Sequence, residues 1–257
     1  MTNAPVSRTK TPLPLEPFPV RLIKRAVLVV MGPFYFLGIS FLPLLCARRK
    51  GFRGWYWRQI KRACSRLLWL LSIRVEISQA DKDALSADTG SVIVINHRSH
   101  LDGFVMNAVI PDDKWYTFAA KKELCQTPLL RTGFAGAGLV EIDRSSGSVA
   151  MRKLSKSVRD MPQRRSLVLF PEGTRTQTET LGEFKAGAVM LARQTGRTIR
   201  PIVIHDSEHL LPRGKFVPAS GTIRVEVLPT FICDKGGSAS DDLTRLRAAM
   251  IAVFDKG

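Results

Sequence analysis

The chain has 257 residues, enough for one catalytic domain of ordinary size and an additional segment. Its 45% hydrophobic and 24% charged residues are typical of a globular protein and exclude a largely disordered chain. The formal net charge of +17 predicts an anionic partner, which could be a nucleic acid, an acidic membrane surface or a phosphorylated substrate.

The positive charge is concentrated in the first 74 residues, which contain fourteen Lys or Arg and one acidic residue, a net charge of +13. The same residues form the most apolar and aromatic part of the chain. Positive charge interleaved with Trp and long apolar runs favours a membrane surface over a nucleic acid. The sequence has neither an RNA-binding aromatic motif nor zinc-finger spacing, so we expect no nucleic-acid partner.

The N-terminal part divides into two segments. Residues 1–20 contain five prolines and predict a disordered lead-in. Residues 21–73 predict a membrane-associated helical segment. Within it, residues 26–47 are uncharged and as one helix would span ~33 Å, enough for a hydrocarbon core of ~30 Å.

Three arrangements of residues 26–47 are open. A secretory signal is disfavoured because a small-residue cleavage site is missing. A single spanning helix and a re-entrant helical hairpin remain, and Pro is tolerated in membrane helices. The hairpin is slightly favoured, because Gly32-Pro33 interrupts the run and both flanks are basic.

The following segment, residues 55–73, has apolar residues at three- and four-residue spacing and a basic opposite face. We expect an amphipathic helix that lies in the membrane interface with its Trp rings at headgroup level. The alternative is an ordinary helix packed on the core with a solvated basic side. The apolar positions are Trp57, Ile60, Cys64, Leu67, Leu68 and Leu71, and the basic ones are Arg58, Lys61, Arg62 and Arg66.

From residue 74 onwards, short β-strand patterns alternate with helical ones. This alternation predicts an α/β domain over residues 74–257, with a largely buried sheet covered by helices. The predicted strands are 74–78, 91–96, 115–119, 138–142, 166–170, 198–204 and 222–228. The predicted helices are about 102–110, 123–131, 147–160, 184–195 and 241–254.

The second predicted strand runs directly into His97-Arg98-Ser99-His100-Leu101-Asp102, a strand-to-helix turn of the kind where α/β folds bind ligands. Residues five apart in a regular helix point ~140° away from each other, so His97 and Asp102 touch only across a non-helical turn. A carboxylate on one ring nitrogen would fix the tautomer and leave the other nitrogen as a base. Without a nearby protein nucleophile, that base would activate a substrate hydroxyl directly, a contribution of ~10²–10⁴-fold.

Two alternatives compete for this turn. Ser99 or Asp102 could serve only as a helix cap. His97, His100 and Asp102 could also bind a metal, but no motif elsewhere supplies further ligands at a recognisable spacing. We therefore expect no metal.

A second polar loop, FPEGTRT at residues 170–176, follows the strand pattern SLVLF. It combines a carboxylate, a flexible backbone, a hydroxyl and a guanidinium. Arg offers a planar fork to phosphate oxygens, and loop N–H groups bind anions. The alternative is a plain β-turn with a solvated Arg.

Four sequence blocks, in the same order, resemble those of the 1-acyl-sn-glycerol-3-phosphate acyltransferase family. They are NHRSHLD at 96–102, GLVEIDR at 138–144, FPEGTRT at 170–176 and RPIVI at 200–204. The resemblance covers roughly residues 75–230. It implies an α/β fold of the glycerolipid acyltransferase type, a mixed sheet covered by helices.

The resemblance also implies a reaction. A fatty acyl chain would pass from an acyl thioester to the free hydroxyl of 1-acyl-sn-glycerol-3-phosphate, forming phosphatidic acid in phospholipid biosynthesis. A close variant keeps this chemistry with another lysophospholipid or a lyso-aminolipid as acceptor. Two other classes stay open: a thioesterase or lipid hydrolase that uses water, and a non-catalytic membrane-binding protein.

The resemblance implies a role for each matched residue. His97 would take the proton from the acceptor hydroxyl, and Asp102 would orient it. The remaining candidates would bind the acceptor: Arg144 and Arg175 its phosphate, with Lys121 or Lys122 as further candidates, and Glu172, Gly173 and Thr174 as the residues that shape the acceptor loop.

These implications extend to partners and location. The donor would be acyl-CoA or acyl-acyl carrier protein, and no cofactor is expected. The other partners would be the lipid bilayer and a lysophospholipid acceptor. We expect the chain at the cell (inner) membrane with its catalytic domain on the cytoplasmic side, because basic residues flank the apolar run.

Overall fold

The computed structural model describes residues 16–46, 48, 50–142, 147–162, 165–176 and 180–256. The strands are β1 (Ile73–Ile77), β2 (Val92–Ile95), β3 (Trp115–Lys121), β4 (Val140–Ile142), β5 (Arg165–Leu169), β6 (Ile199–His205) and β7 (Gly221–Val227). The helices are α1 (Phe18–Cys46), α2 (Phe52–Leu70), α3 (Gln79–Ser86), α4 (Leu101–Val109), α5 (Lys122–Gln126), α6 (Pro128–Ala137), α7 (Gly147–Arg159), α8 (Gly187–Thr195), α9 (Ser207–Leu210) and α10 (Ala239–Phe254).

The seven strands form one mixed sheet in the order β1-β7-β6-β2-β5-β3-β4. The strands from β6 to β4 in this order run parallel, whereas β7 is antiparallel to β6 and parallel to β1. All seven predicted strands and the predicted fold class are confirmed. The carboxyl ends of β2, β3, β4, β5 and β6 therefore share one edge of the sheet, the edge at which ligands bind in open α/β folds.

Side chains from the two faces of the sheet enter two separate cores. In β2, Ile93 and Ile95 pack with α2 and α4, while Val92 and Val94 pack with α7, α8 and α10. This alternation follows from the two-residue period of a strand. Both faces are covered, which explains why the central strands are almost continuously apolar.

The predicted helix at 123–131 is two helices in the structure. α5 ends at Gln126 and α6 begins at Pro128, with Thr127 between them in an extended conformation. A residue before proline is sterically disfavoured in the helical region, and proline is well suited to the first helical position. Two short helices, α3 and α9, lie outside the sequence prediction.

Helix α1 differs from the sequence prediction at its start and its middle. It begins at Phe18, so residues 18–20 are helical and do not belong to a disordered lead-in; residues 1–15 lie outside the described residues. It then continues through Gly32-Pro33. The favoured prediction, a hairpin with its turn at Gly32-Pro33, is therefore wrong.

Contacts on both sides of Gly32-Pro33 hold α1 against the rest of the protein as one continuous helix. Arg25 donates from Nη2 to the Pro218 carbonyl at 3.0 Å, and the Ser40 carbonyl accepts from Thr132 Oγ1 at 2.7 Å. Arg25 and Ser40 lie ~22 Å apart along a helix, a separation that a hairpin would abolish. At Gly136 of α6 an added Cβ would lie 2.6 Å from Pro43, so glycine permits the close approach of the two helices.

Helix α2 confirms the predicted helix in residues 55–73 but not its placement. Trp57 is 3% exposed and lies in the core formed with α4. Lys61, expected on the solvated basic face, is buried and pairs with Asp112 at 2.7 Å. The apolar stripe therefore packs on the protein, and the interfacial placement is wrong for it. Trp55 and Trp69 remain exposed.

Candidate active site

The turn from His97 to Asp102 begins where Asn96 ends the pairing of β2 with β6. The Asn96 side chain donates to the Ile204 carbonyl at 2.8 Å and accepts from the Ile204 N–H at 2.7 Å. These two bonds satisfy the backbone of β6 in place of another strand residue. The chain is thus free to leave the sheet at His97.

His97 and Asp102 are brought together by the non-helical turn that precedes α4. Nδ1 of His97 lies 2.9 Å from Oδ2 of Asp102. The Asp102 side chain is 1% exposed, whereas the His97 side chain is 22% exposed. A proton on Nδ1 would be held by the carboxylate, which leaves Nε2 as the acceptor nitrogen.

Asp102 accepts hydrogen bonds on both oxygens. In addition to His97, Oδ2 accepts from the backbone N–H groups of Arg98 at 2.8 Å and Ser99 at 2.9 Å. Oδ1 accepts from the Ser207 hydroxyl at 2.6 Å. These partners compensate for the burial of a carboxylate and fix its orientation.

The FPEGTRT loop is joined to the same turn. The His97 N–H donates to Oε1 of Glu172 at 3.1 Å, and the Thr176 N–H donates to the His97 carbonyl at 2.9 Å. The Phe170 ring stacks on the imidazole with a centroid separation of 4.2 Å. The backbone and the ring of His97 are therefore both held by residues that follow β5.

The Glu172 carboxyl is buried next to His97. Burial raises the pKa of Glu172 to about 7, and the hydrogen bond from the His97 N–H acts in the opposite direction. Its second oxygen is hydrogen-bonded to the Thr176 hydroxyl. Glu172 is thus a link between the two loops and titrates near neutral pH.

The other loop candidates lie beside this link. Gly173 has a φ of +74°, and an added Cβ would meet the Lys185 side chain at 3.1 Å, so only glycine fits without strain. Thr174 is exposed and Arg175 half-buried. Burial lowers the pKa of His100, with a further contribution from the positive charge of Arg175. The positive charge of Arg175 therefore acts on His100, within the turn from His97 to Asp102.

The remaining predicted phosphate ligands are only partly placed. Lys122 is half-buried at the start of α5, directly after β3, whose carboxyl end lies at the edge of the site. Lys121 ends β3, and its side chain lies outside the described part of the structure. Arg144 lies in the interval 143–146, which the structure does not describe.

Two residues of the site are not identified by sequence reasoning. Ser207, fully buried, donates to Asp102, and Glu208 pairs with Arg98 at 2.6 Å. Both residues follow β6 closely. Their position directly after a predicted strand was the one sequence feature that pointed to them. Their pairing with residues 105 and 110 positions earlier depends on the order of the strands in the sheet.

An apolar groove of about 290 Å³ opens beside the FPEGTRT loop. Phe170, Pro171 and Gly173 form its wall on the side of the site, and Lys185 is its charged residue. Its other lining residues are Ala119, Ile142, Gly147, Ala150, Met151, Leu154, Leu169, Gly187 and Ala188. Such a lining suits a hydrocarbon chain next to the reacting groups.

The residues that the structure describes contain no group of three or more His, Cys, Asp or Glu side chains arranged to hold a metal ion. The arrangement that is present combines a buried carboxylate, a partly exposed imidazole, a loop with a glycine at positive φ and a guanidinium. Chemically, this set can take a proton from a hydroxyl group beside an anionic group.

Comparison with known proteins agrees with this chemistry. The Acyltransferase family model matches residues 75–205. The 1-acyl-sn-glycerol-3-phosphate acyltransferase of Limnanthes alba is 31% identical over 169 residues, which are 65% of this chain and 58% of that protein. The match thus spans a little over half the length of this plant relative.

Bacterial relatives cover more of the chain. The 1-acyl-sn-glycerol-3-phosphate acyltransferase of Helicobacter pylori (strain J99) is 32% identical over 192 residues, 73% of each chain. The crystal structure of the 1-acyl-sn-glycerophosphate (LPA) acyltransferase PlsC from Thermotoga maritima has a TM-score of 0.70 and 21% identity, over 92% of this chain and 94% of that one. The fold is therefore shared. On the family model and these identities, the chain belongs to the 1-acyl-sn-glycerol-3-phosphate acyltransferase family.

Proposed function

We propose that this protein transfers a fatty acyl chain from an acyl thioester to the free hydroxyl of 1-acyl-sn-glycerol-3-phosphate, forming phosphatidic acid. The observation that carries the proposal is the contact of His97 Nδ1 with buried Asp102 at 2.9 Å, which leaves Nε2 as a base at the edge of the sheet. Its relatives are named for this reaction.

The chemistry needs one base and no covalent intermediate on the protein. Nε2 of His97 takes the hydroxyl proton while the oxygen attacks the thioester carbonyl. The new C–O bond forms, the C–S bond breaks, and the departing thiolate takes up the proton from His97. Asp102 holds the tautomer and stabilises the imidazolium that forms between the two steps.

The acceptor phosphate would be bound beside the FPEGTRT loop. Arg175 supplies a guanidinium there, and its charge already acts on His100. Gly173 gives the loop its positive φ beside the Lys185 side chain. Lys121, Lys122 and Arg144 are further candidates for this phosphate, and the apolar groove beside the loop would hold an acyl chain.

The test offers purified protein three acceptors in turn, with either acyl-CoA or acyl-acyl carrier protein as donor. The acceptors are lysophosphatidate, a zwitterionic lysophospholipid and phosphate-free monoacylglycerol, and lipid products are identified by mass. We expect phosphatidic acid from lysophosphatidate. If another acceptor is acylated while lysophosphatidate is not, the acceptor assignment is wrong. Release of free fatty acid irrespective of acceptor would identify a hydrolase.

Arg175→Ala tests the phosphate assignment in the same assay. Removing a charge-assisted contact of ~1.5–3 kcal/mol should lower kcat/KM for lysophosphatidate by about tenfold or more. Monoacylglycerol, which has no phosphate, should be affected little. An equal loss for both acceptors would remove Arg175 from the phosphate site.

We further infer that α1 attaches the protein to a lipid bilayer at the cytoplasmic side of the inner membrane. Among the described residues it is the one helix long and apolar enough to cross a membrane, with a mean hydropathy of 2.0 over its most apolar window, 11% of which is buried. Its contacts near Arg25 and Ser40 place it along the catalytic domain. This orientation supports a helix that lies in one leaflet beside the domain.

Exposed positions on α1 provide the test. Val29, Val30 and Phe34 are 74%, 61% and 70% exposed. Changing all three to Ser should prevent co-flotation with anionic vesicles. The midpoint of the unfolding transition should stay unchanged. Deletion of residues 1–73 is unsuitable, because it would remove core residues of α2. A triple variant that still floats would contradict the attachment.

A further inference from the structure

We propose that the loop between α9 and β7, residues 211–220, is a second bilayer-contacting element that meets anionic lipid headgroups next to the active site. This inference rests on the attachment of α1 proposed above. We call it the α9–β7 loop; its sequence is LPRGKFVPAS.

The α9–β7 loop is built as a defined projection. The Lys215 N–H donates to the Pro212 carbonyl at 3.1 Å, and Gly214 has a φ of +85°, which together form a tight turn. At the base of the loop, the Ala219 N–H donates to the Leu210 carbonyl at 2.7 Å. Residues 213–217 therefore protrude from a closed base.

The tip of the loop combines apolar and basic side chains. Phe216 is 94% exposed and Val217 is 70% exposed, and Arg213 and Lys215 are exposed beside them. A protruding aromatic flanked by cations suits the boundary between anionic headgroups and acyl chains, where the ring is buried and the charges remain in water. Adjacent charges of this kind oppose docking onto an apolar protein surface.

The loop is continuous with the apolar surface of α1. Arg25 Nη2 donates to the Pro218 carbonyl at 3.0 Å, and Arg21 Nη1 donates to the Ser220 hydroxyl at 3.2 Å. The exposed apolar side chains on this half of α1 include Phe18, Leu22 and Ile23. Loop and helix therefore present one surface to one bilayer.

The same loop contacts the turn from His97 to Asp102. The Ser99 hydroxyl donates to the Leu211 carbonyl at 3.0 Å, and Ser207, four residues earlier, donates to Asp102. A bilayer that contacts the tip therefore lies beside the segment that supports the catalytic pair. An acceptor lipid would reach the site from this surface without leaving the bilayer.

Photo-crosslinking of the full-length protein tests the proposal. p-Benzoylphenylalanine is placed at position 216, at position 30 on α1, or at position 232. Ile232 is the matched control: it is 70% exposed, and its neighbour Phe231 pairs with Ile199 at the opposite edge of the sheet. Each protein is irradiated with vesicles of phosphatidylcholine and phosphatidylglycerol, and lipid adducts are detected by mass.

We expect lipid adducts at positions 216 and 30 and none at 232. Adducts at 30 without any at 216 would overturn the role of the loop and leave the attachment of α1 intact. Absence of adducts at both positions would overturn the attachment as well. Equal labelling at 216 and 232, or crosslinking of position 216 to protein in native membranes, would also overturn the proposal.

Neutralisation of one charge tests the choice of anionic lipid. Lys215→Gln should weaken partition onto phosphatidylglycerol vesicles by about fivefold at low salt, and have little effect on phosphatidylcholine vesicles. Lys235→Gln, an exposed lysine near Ile232, is the control and should change partition less than about twofold. Equal effects of the two variants would contradict a specific contact by the loop.

Discussion

At the scale of single residues, Asp102 is the side chain on which the site depends. It is fully buried, and its four hydrogen bonds come from His97, Arg98, Ser99 and Ser207. The two backbone N–H groups and the Ser207 hydroxyl donate, and His97 donates in the tautomer that carries its proton on Nδ1. A carboxylate can accept all of these hydrogen bonds with its two oxygens. An amide at this position would direct its own N–H groups at one or more of the donors.

We predict that Asp102→Asn lowers kcat by ~10²–10⁴-fold, because the amide no longer selects the tautomer that leaves Nε2 as the base. Steady-state kinetics with lysophosphatidate measures the loss, and circular dichroism serves as the control for folding. A folded variant with near-normal kcat would remove Asp102 from the mechanism.

Ser207 is a positioning residue that acts through Asp102. Ser207→Ala removes a 2.6 Å hydrogen bond to a buried carboxylate. The cost should be about tenfold in kcat, with KM for either substrate unchanged, because the serine supports the base and does not touch the acceptor. A change confined to KM would assign Ser207 to substrate binding instead.

Glu172 gives the protein a stability that depends on pH. Its pKa is about 7 in the folded protein against an ordinary value of 4.5, so the folded state retains this proton to higher pH than the unfolded chain. The free energy of unfolding should therefore fall by up to ~3 kcal/mol as the pH rises from about 4.5 to about 7.

Glu172→Gln should abolish this part of the pH dependence, since the amide keeps an acceptor for the His97 N–H and does not titrate. Urea denaturation of both proteins at several pH values across this interval measures the difference. If the free energy of unfolding falls equally in both proteins, Glu172 is not the titrating group.

At the scale of elements, α2 shows how much a sequence pattern establishes. The three- and four-residue spacing correctly predicts a helix with an apolar stripe. The pattern is the same for a stripe buried on a core and for one buried in lipid, so it does not determine the surroundings. In the structure Trp57 is 3% exposed, and its Nε1 donates to the Lys114 carbonyl at 3.3 Å.

We predict that Trp57→Ala lowers the free energy of unfolding by ~3–5 kcal/mol, the usual cost of removing a large buried aromatic side chain. Trp55, two residues away and 43% exposed, is the matched control. Trp55→Ala should cost less than about 1 kcal/mol. Equal costs in chemical denaturation would mean that the stripe of α2 is not a core element.

The same contrast holds for the other elements. The seven strands and the turn from His97 to Asp102 are predictable, because local apolar runs and local turn chemistry determine them. The separation of α5 from α6 was missed, because the sequence prediction ran one helix over 123–131 and through Pro128. The continuity of α1 through Pro33 was missed as well, because it depends on contacts with residues about 90 and 190 positions away.

At the scale of the whole molecule, the mixed sheet explains how distant sequence blocks form one site. His97 follows β2, Glu172 follows β5 and Ser207 follows β6, three strands that are parallel neighbours. The family blocks therefore meet at one edge of the sheet. The order of the strands, which determines that Ser207 supports Asp102, is non-local and is not contained in any one block.

The arrangement of α1 extends this reasoning to the membrane. The helix contacts the α9–β7 loop near Arg25 and α6 near Ser40, so the catalytic domain is fixed relative to its exposed apolar face. An enzyme whose acceptor is a bilayer lipid needs such a fixed geometry. Substitutions that loosen the contact at Arg25 should therefore lower activity on vesicles more than on detergent-dispersed acceptor.

Acyl transfer by the wild-type protein and by His97→Ala, measured in parallel, tests whether His97 activates the hydroxyl of lysophosphatidate. Mass analysis follows phosphatidic acid formed from an acyl thioester, and denaturation curves verify that both proteins are folded. We predict that the wild type forms phosphatidic acid and that the folded variant forms it ~10²–10⁴-fold more slowly. Equal rates for the two folded proteins would contradict this role of His97.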